Sequence, residues 1–388
     1  MANKIRILVV DDSVVVRRML SEMLAADPAV ESISTASNGK IALARIPQIN
    51  PDAIILDVEM PEMDGLQTLT HIRRIYKFLP VIMFSTVTAR GATATLDALV
   101  LGANDYVTKP STKSGTVGQL SLVYKDLVDK IKAHCHYVPG SIDSASGADS
   151  NRIVSNPSRT IVPPLNLSET PFPLAKPDGI GPVDAIAIGV STGGPNALAA
   201  LLPTFPANLA VPVFIVQHMP RLFTKLLAER LSGKTQIPVH EACLGDAVSA
   251  GKIYLAPGDY HMTVKRVGFK TIIETIQGPP ENSCRPAVDP LFRSVADTYG
   301  PRALGVILTG MGQDGLRGCE AIRARGGQIL AQDEASSVVW GMPGFVARAG
   351  LAEKVISLTE LGPEIVRRAY RPEPGLRLPR ITAAGANL

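Results

Sequence analysis

Three carboxylates follow apolar runs near the start of the chain. Asp11 and Asp12 come after Ile5–Val10, and Asp57 comes after Ala53–Leu56. If these runs are parallel strands, their carboxyl ends lie at one edge of a sheet and bring the carboxylates together. Like charges crowded in this way need a hard cation beside them, and Mg²⁺ prefers oxygen ligands. The alternative for any single aspartate is a turn or a helix cap.

A hydroxyl group and an ammonium group follow the next two apolar runs. Ser85 comes after Val81–Phe84, and Lys109 comes after Asp105–Thr108. Together with a divalent cation, these groups can surround one phosphoryl group and offset its charge. Asp57 would then accept the phosphorus as a carboxylate nucleophile. The pattern therefore predicts a phosphoryl-acceptor site.

A serine lies in a glycine-rich turn in the second half of the chain. Gly189-x-Ser191-x-Gly193 stands between a strand predicted over Val183–Val190 and a helix predicted over Pro195–Leu202. This spacing places a serine on a tight strand-to-helix turn, where the helix N-terminus favours a developing oxyanion. Ser191 is therefore a candidate nucleophile. A phosphate-type loop, or a turn with an incidental serine, is the alternative.

Two later strand ends supply the partners that a serine nucleophile needs. His218 follows the apolar run Val211–Gln217, and Asp314 lies beyond the run Ala303–Leu308. Ser191, His218 and Asp314 would then share one sheet edge as nucleophile, general base and orienting carboxylate. Their chain order, Ser–His–Asp, argues against the α/β-hydrolases, in which the aspartate precedes the histidine.

A rival interpretation concerns the segment around Asp314. Gly310-x-Gly312-x-x-Gly315 follows a strand and opens a helix, and Asp333 comes some way later. That is the outline of a dinucleotide-binding turn. The pattern is weak by itself and occurs late in its domain, so nucleotide binding stays the lesser alternative.

The elements that position these residues alternate between strands and helices. Apolar runs rich in β-branched residues predict strands, and Val30–Thr35 completes five in the first third of the chain. Amphipathic stretches predict helices between them, at about residues 13–26, 38–47, 64–76, 89–101 and 115–134. The alternation resumes at residue 183 and continues to about 369. The predicted fold class is α/β, with two doubly wound parallel-sheet domains.

Composition sets the domain boundaries and excludes several classes of protein. We predict domains over 1–134 and 183–369, a Pro/Ser-rich linker over 135–182 and a disordered tail over 370–388. A chain of 388 residues with 46% hydrophobic and 19% charged residues is globular. Its net charge of +4 gives no reason to expect nucleic acid as a partner. We find no membrane span, no signal peptide and no paired cysteine spacing, and we expect a cytoplasmic monomer.

The first domain resembles the receiver domain of response regulators. Asp11, Asp12, Ser85, Lys109 and the segment Leu56-Asp57-Val58-Glu59-Met60-Pro61 carry the resemblance, which covers essentially residues 1–134. It implies a flavodoxin-like fold and phosphorylation of Asp57 by a histidine kinase. It also implies Mg²⁺ held by Asp12, Asp57 and the backbone carbonyl of Glu59, with Asp11 acting through water.

The same resemblance assigns the residues that respond to phosphorylation. Ser85 stands where the family has Thr or Ser, and Tyr106 stands at its aromatic switch position. Lys109 completes the set.

The second domain resembles the CheB family of chemotaxis protein-glutamate methylesterases. The resemblance runs from about 183 to 369 and rests on five motifs: Ser191-Thr192-Gly193-Gly194, Gln217-His218-Met219-Pro220, Pro257-Gly258-Asp259-x-His261-Met262, Arg285-Pro286-Ala287-Val288-Asp289 and Met311-Gly312-x-Asp314-Gly315. It implies a Rossmann-like three-layer domain in which Ser191, His218 and Asp314 are the triad. Thr192 and Met311 are then candidate oxyanion donors through their backbone N–H groups.

The resemblance also implies what the protein does. The family hydrolyses glutamate methyl esters on the cytoplasmic helices of chemoreceptors and deamidates particular glutamines there. Its partners are a CheA-type kinase and the receptors, and it uses no organic cofactor. We expect the receiver to inhibit the esterase until Asp57 is phosphorylated. Two other functions stay open, a non-enzymatic binding module and a serine peptidase. Arg285 could contact acidic receptor flanks, and His261 could bind substrate or be structural.

Overall fold

The computed structural model describes residues 4–110, 117–135 and 181–370. The predicted linker and tail lie almost wholly outside the described residues, so the domain boundaries stay predictions. Within the described ranges, no helix is both long enough and apolar enough to cross a membrane.

The first unit is a five-stranded parallel sheet flanked by five helices. Its strands are β1 (Ile5–Val10), β2 (Val30–Ala36), β3 (Ala53–Asp57), β4 (Val81–Ser85) and β5 (Asp105–Thr108). Its helices are α1 (Val14–Ala25), α2 (Gly39–Ile49), α3 (Gly65–Ile75), α4 (Ala89–Val100) and α5 (Val117–His134). The order β2-β1-β3-β4-β5 reverses direction between β1 and β3, which opens a crevice at their carboxyl ends.

Three predicted strands of this unit end one residue later than the apolar runs suggested, β2 at Ala36, β3 at Asp57 and β4 at Ser85. The ladder pairs Asp57 with Phe84 and Ser85 with Thr108, so Asp57 and Ser85 are the last residues of β3 and β4. Both side chains are buried. In β3 and β4, a polar residue ends an apolar run in the sequence, but its backbone can still pair with the neighbouring strand. The apolar run therefore predicts a shorter strand than the backbone hydrogen bonds form.

The second unit is built on a seven-stranded sheet whose strand pairs are all parallel. Its order is β14-β13-β12-β6-β7-β9-β8. The strands are β6 (Ala185–Val190), β7 (Val213–Gln217), β8 (Val239–Glu241), β9 (Ile253–Leu255), β12 (Ala303–Ile307), β13 (Gln328–Gln332) and β14 (Lys354–Ile356). The helices are α6 (Gly194–Leu201), α7 (Arg221–Ser232), α8 (Val288–Tyr299), α9 (Leu316–Ala324), α10 (Met342–Arg348) and α11 (Leu358–Ala369).

The expected strand–helix alternation is wrong in one segment of this unit. Between α7 and α8 the chain forms β8 and β9 and then an antiparallel hairpin, β10 (His261–Val267) and β11 (Lys270–Ile276). Met262, Val264 and Ile273 are buried on one face of the hairpin, while its far end is exposed. A strand pair that buries only one face needs no covering helix on the other.

The two units pack against each other through α4, β5 and α7. The Tyr106 ring at the end of the first sheet stacks on Phe223 of α7, with centroids 4.9 Å apart and planes 9° apart. Arg230 of α7 donates to the Asp97 carboxylate at 2.5 Å and to the Thr93 carbonyl at 3.0 Å on α4. The apolar core of the sheet in the first unit therefore continues into that of the second.

Candidate active site

Ser191 lies directly after β6, in a turn that the flanking glycines make possible. Gly193 has φ +76, a left-handed conformation that costs glycine little, and it caps the start of α6. At Gly194 a Cβ atom would lie 1.9 Å from Gln217 Oε1, so no larger residue fits between the turn and β7. The Ser191 N–H donates to the Thr309 carbonyl at 3.0 Å, and this bond ties the turn to the segment after β12. The sequence thus places the serine hydroxyl at the carboxyl edge of the sheet.

His218 and Asp314 meet although 96 residues separate them. His218 Nε2 lies 2.8 Å from Asp314 Oδ2. Asp314 also accepts the backbone N–H groups of Val288 at 2.6 Å and of Gly315 at 3.0 Å. Because an ionised carboxylate only accepts hydrogen bonds, Nε2 carries the proton and Nδ1 is left as the basic nitrogen. The carboxylate therefore sets both the orientation and the tautomer of the imidazole.

The charges of this pair support each other. Burial alone would raise the pKa of Asp314, but the His218 contact and the backbone donors outweigh it and hold that pKa below its usual range. For His218, burial would lower the pKa, but the hydrogen bond to the Asp314 carboxylate outweighs burial and raises the pKa above its usual value. The imidazolium that forms when a base accepts a proton is accordingly stabilised here.

Ser191 and His218 line one cavity of ≈ 540 Å³. Thr192 and Met311 line it as well. In the described ranges neither of their backbone N–H groups donates to a protein acceptor, so both are available to an oxyanion. Within the same ranges, no hydrogen bond joins the Ser191 hydroxyl to His218. The structure thus brings the predicted residues to one cavity, while their assignment as a triad stays a prediction.

Three residues around the His218–Asp314 pair were given no role by the sequence analysis. Asn282 Nδ2 donates to Asp314 Oδ1 and to Asp289 Oδ2, both at 2.9 Å. The Cys284 Sγ lies 3.5 Å from His218 Nδ1. Burial, with the Asp314 charge beside it, raises the pKa of Asp289. Only Asp289 belonged to a motif, and nothing in the spacing tied any of the three to a catalytic pair.

His261 is held by the backbone away from the cavity lining, whereas Arg285 lines the cavity. His261 is buried, its Nε2 lies 2.9 Å from the Pro279 carbonyl, and its Nδ1 accepts the Ala287 N–H at 3.2 Å. Both ring nitrogens are therefore engaged by the backbone, which favours the structural alternative. Arg285 lines the cavity beside Ser191, and its buried Nε has no partner in the described ranges.

The glycine-rich segment before α9 does not favour the nucleotide-binding alternative. Gly315, with φ +91, is the N-cap of α9, and its N–H donates to the Asp314 side chain. Asp314, inside the pattern, points to His218 at 2.8 Å. The segment therefore holds a carboxylate where a dinucleotide-binding turn would approach phosphate.

The acidic residues of the first unit converge as predicted from their strand ends. Ligand oxygens of Asp11, Asp12 and Asp57 lie within 4.8 Å of one another. Lys109 Nζ lies 2.7 Å from Asp11 and 2.8 Å from Asp57. Burial, with the Asp11 charge adding to it, raises the pKa of Asp57 to about 6 despite the Lys109 ammonium. Three carboxylates against one ammonium leave excess negative charge among oxygen donors, and that donor set fits Mg²⁺.

The remaining predicted residues surround this cluster. Ser85 is buried and donates to the Gly91 carbonyl at 3.1 Å. Glu59 lies with Asp12 on a cavity of ≈ 420 Å³, and its carboxylate is 3.5 Å from Arg90. Tyr106 faces the second unit through its stack on Phe223. The edge strand β5 thus links the acidic cluster, through Lys109 directly after it, to the contact between the two units, through Tyr106 within it.

Comparison with known proteins assigns each unit a relative. The response regulator receiver domain matches residues 7–119, and CheB methylesterase matches residues 186–365. A protein-glutamate methylesterase/protein-glutamine glutaminase of Trichodesmium erythraeum is 53% identical over 94% of this chain and 99% of its own length. The Nocardioides protein of that name is 47% identical over 96% of this chain and 97% of its own. The crystal structure of the Thermotoga maritima CheB methylesterase catalytic domain matches 48% of this chain and 98% of that one, at 37% identity and a TM-score of 0.47.

Proposed function

Because this chain belongs to the protein-glutamate methylesterase/protein-glutamine glutaminase family, we propose that it hydrolyses glutamate methyl esters on the cytoplasmic helices of chemoreceptors through Ser191. The family membership makes the chain a hydrolase of chemotaxis signalling with a response-regulator receiver. The observation that carries the mechanism is the 2.8 Å contact between His218 and Asp314, at a cavity shared with Ser191. Its place of action would be the cytoplasm, where receptor helices and kinase meet.

The proposed reaction proceeds through an acyl-enzyme. His218 Nδ1 takes the proton of the Ser191 hydroxyl as the serine oxygen attacks the ester or amide carbonyl. Asp314 stabilises the imidazolium, and the backbone N–H groups of Thr192 and Met311 stabilise the oxyanion. His218 then gives its proton to the leaving group, which departs as methanol from an ester or as ammonia from a glutamine. Water attacks the acyl-enzyme, with His218 again as base, and releases glutamate.

Replacing Ser191 by alanine tests this assignment. We expect Ser191→Ala to lower turnover by ~10⁴–10⁶, the range for loss of one member of a triad. The measurement is methanol release from methylated chemoreceptor, with Ser249→Ala as the matched control because Ser249 is an exposed serine outside the cavity. A Ser191→Ala enzyme that keeps more than about a tenth of wild-type turnover has another nucleophile.

The receiver unit supplies the regulation in this proposal. A CheA-type histidine kinase phosphorylates Asp57, and Asp12, Asp57 and the Glu59 carbonyl would hold the required Mg²⁺, with Asp11 acting through water. Mg²⁺ would neutralise the carboxylates and the incoming phosphoryl group. Lys109 and Ser85 then hold the new phosphoryl oxygens, and Tyr106 changes its packing.

Inhibition before phosphorylation follows from the contact between the units. The cavity that contains Ser191 is lined on its other side by β5 and α5 of the receiver, including Tyr106 and Lys130. In this proposal, that wall obstructs the approach of a receptor helix to Ser191. The Tyr106–Phe223 stack joins the wall to α7, so a change at Tyr106 weakens the covered state. These contacts support a receiver that blocks the esterase until Asp57 is phosphorylated.

A further inference from the structure

The basic nitrogen of His218 already has a neighbour, and it is not Ser191. Nε2 is committed to Asp314, so Nδ1 is the nitrogen that a nucleophile must use. The Cys284 Sγ lies 3.5 Å from that nitrogen, within reach of an S–H···N hydrogen bond. Cys284 and Ser191 line the same cavity. Cys284 thus occupies the nitrogen that the mechanism assigns to Ser191, and both residues open onto one cavity.

A tight turn holds the thiol in this place. The Cys284 N–H donates to the Glu281 carbonyl at 2.8 Å, and the Glu281 N–H donates back at 3.1 Å. The two residues between them, Asn282 and Ser283, have φ +51 and +62, the left-handed pair of a type I′ turn. The backbone hydrogen bonds therefore fix the direction of the Cα–Cβ bond of Cys284.

The same turn is fastened to the catalytic carboxylate. Asn282 bridges Asp289 and Asp314 at 2.9 Å each. Glu281 pairs with Arg293 of α8 at 2.7 Å. The four-residue turn from Glu281 to Cys284 thus makes two contacts with the catalytic pair. Asn282 donates to Asp314 Oδ1, and the Cys284 thiol lies at His218 Nδ1. The thiol is part of the built site and not a side chain that happens to lie nearby.

We propose that Cys284 is a positioning residue that competes with Ser191 for Nδ1 of His218. The neutral imidazole accepts a hydrogen bond at Nδ1 from one group at a time, so a molecule in which the Cys284 thiol donates to Nδ1 cannot deprotonate the serine. Turnover then scales with the fraction of molecules in which the serine hydroxyl has replaced the thiol. This inference rests on the proposed function, since it assumes that Ser191 is the nucleophile.

The strength of the competing donor predicts an order of rates. A thiol is a weak donor, a hydroxyl is a stronger one, and a methyl group is none. Cys284→Ala should therefore raise kcat by about two- to tenfold, the effect of one ordinary hydrogen bond on an equilibrium. Cys284→Ser should lower kcat below the wild-type value. KM should stay unchanged in both, because the thiol acts through His218 and not on the substrate.

The experiment uses the full chain treated with acetyl phosphate and Mg²⁺, with methanol release from methylated receptor as the readout. Cys243→Ala is the matched control, because Cys243 is exposed and lies outside the Ser191 cavity. A second readout is the rate at which a fluorophosphonate labels Ser191, which needs the same proton transfer and no receptor. Thermal unfolding of each variant identifies loss of fold. In both assays we expect the rate to be highest for Cys284→Ala, intermediate for the wild type and lowest for Cys284→Ser.

The outcomes separate this inference from the proposed function. If the probe does not label Ser191 in the wild type, the nucleophile assignment fails whatever Cys284 does. If Ser191 is labelled and a stably folded Cys284→Ala enzyme is as fast as wild type or slower, the competition is refuted. Should the alanine variant unfold, Cys284→Ser decides: labelling as fast as in the wild type refutes the inference, and slower labelling with unchanged KM supports it.

Discussion

At the scale of single residues, the orientation of one imidazole decides which atom does the chemistry. Asp314 takes Nε2 of His218 at 2.8 Å, so the proton from Ser191 must go to Nδ1. Asp314 in turn is held by backbone N–H groups of Val288 and Gly315. The base therefore depends on a carboxylate that the start of α8 and the N-terminus of α9 keep ionised.

We predict that Asp314→Asn lowers the pKa of His218 and also the rate. The carboxylate stabilises the charged imidazolium, so its removal moves the pKa down toward the ordinary range. Turnover should fall by ~10⁴, as expected when the orienting carboxylate of a triad is lost. NMR titration of His218 in the wild type and the variant measures the pKa, with His240, an exposed histidine, as the internal control. An unchanged His218 pKa would contradict the role given to Asp314.

We also predict that the aspartyl phosphate forms at Asp57 and needs Mg²⁺. The ion offsets the repulsion between the carboxylates and the incoming phosphoryl group. Labelling with acetyl phosphate should disappear in Asp57→Asn and in EDTA, and it should return to the wild type when Mg²⁺ is added back. Label that persists in Asp57→Asn places the phosphoryl group elsewhere.

At the scale of elements, α4 and α7 form the contact between the units. Arg230 of α7 reaches Asp97 and the Thr93 carbonyl of α4, and Phe223 of α7 stacks on Tyr106 at the end of β5. The charged pair is partly exposed, so its contribution to the contact is modest, typically below about 1 kcal/mol. The stacked rings are buried and supply the apolar part of the contact.

Loosening this contact should activate the unphosphorylated enzyme. We expect Arg230→Ala to raise methanol release by the unphosphorylated chain by about two- to fivefold, because a loss of up to about 1 kcal/mol shifts the covered state toward the open one. Arg325→Ala is the control, since Arg325 forms an ion pair with Asp297 that lies wholly within the second unit, with both side chains more exposed than those of the Arg230–Asp97 pair. Equal rates for the two variants would show that the α4–α7 contact does not limit activity.

At the scale of the whole molecule, two sites at the carboxyl edges of separate sheets must communicate without a shared sheet. The linker predicted over 135–182 keeps the units at a roughly millimolar effective concentration. One added phosphate is screened beyond ~8–10 Å, so repulsion alone is too weak to separate them. Regulation in which the receiver docks on α7 through Tyr106 and undocks after phosphorylation is consistent with the flexible connection and with the weak repulsion.

A fragment starting at Gly181 tests this view of the whole chain. The fragment should be more active than the unphosphorylated full chain, because nothing covers the cavity around Ser191. Phosphorylation should raise the activity of the full chain and leave the fragment unchanged. The measurement is methanol release with and without acetyl phosphate. Fragment and unphosphorylated chain at equal activity would remove inhibition by the receiver.

Most elements of the fold and the chemical groups of both sites could be predicted from local sequence patterns. Strand ends can be recognised from local apolar runs, and parallel strands present their carboxyl ends together, so Asp57, Ser191 and His218 were located without coordinates. The α/β class followed from the same alternation. The hairpin β10–β11 was not predicted, because strands buried on one face do not follow the strand–helix alternation of the other segments.

How those residues face one another depends on the tertiary structure. His218 Nε2 contacts Asp314, which lies 96 residues away in the sequence. His218 Nδ1 contacts Cys284, which lies 66 residues away. The covering of the Ser191 cavity by the receiver likewise depends on one domain docking on another. Local patterns fix where a side chain stands on its own strand. Its orientation and neighbours result from the packing of distant segments, and no local pattern encodes that packing.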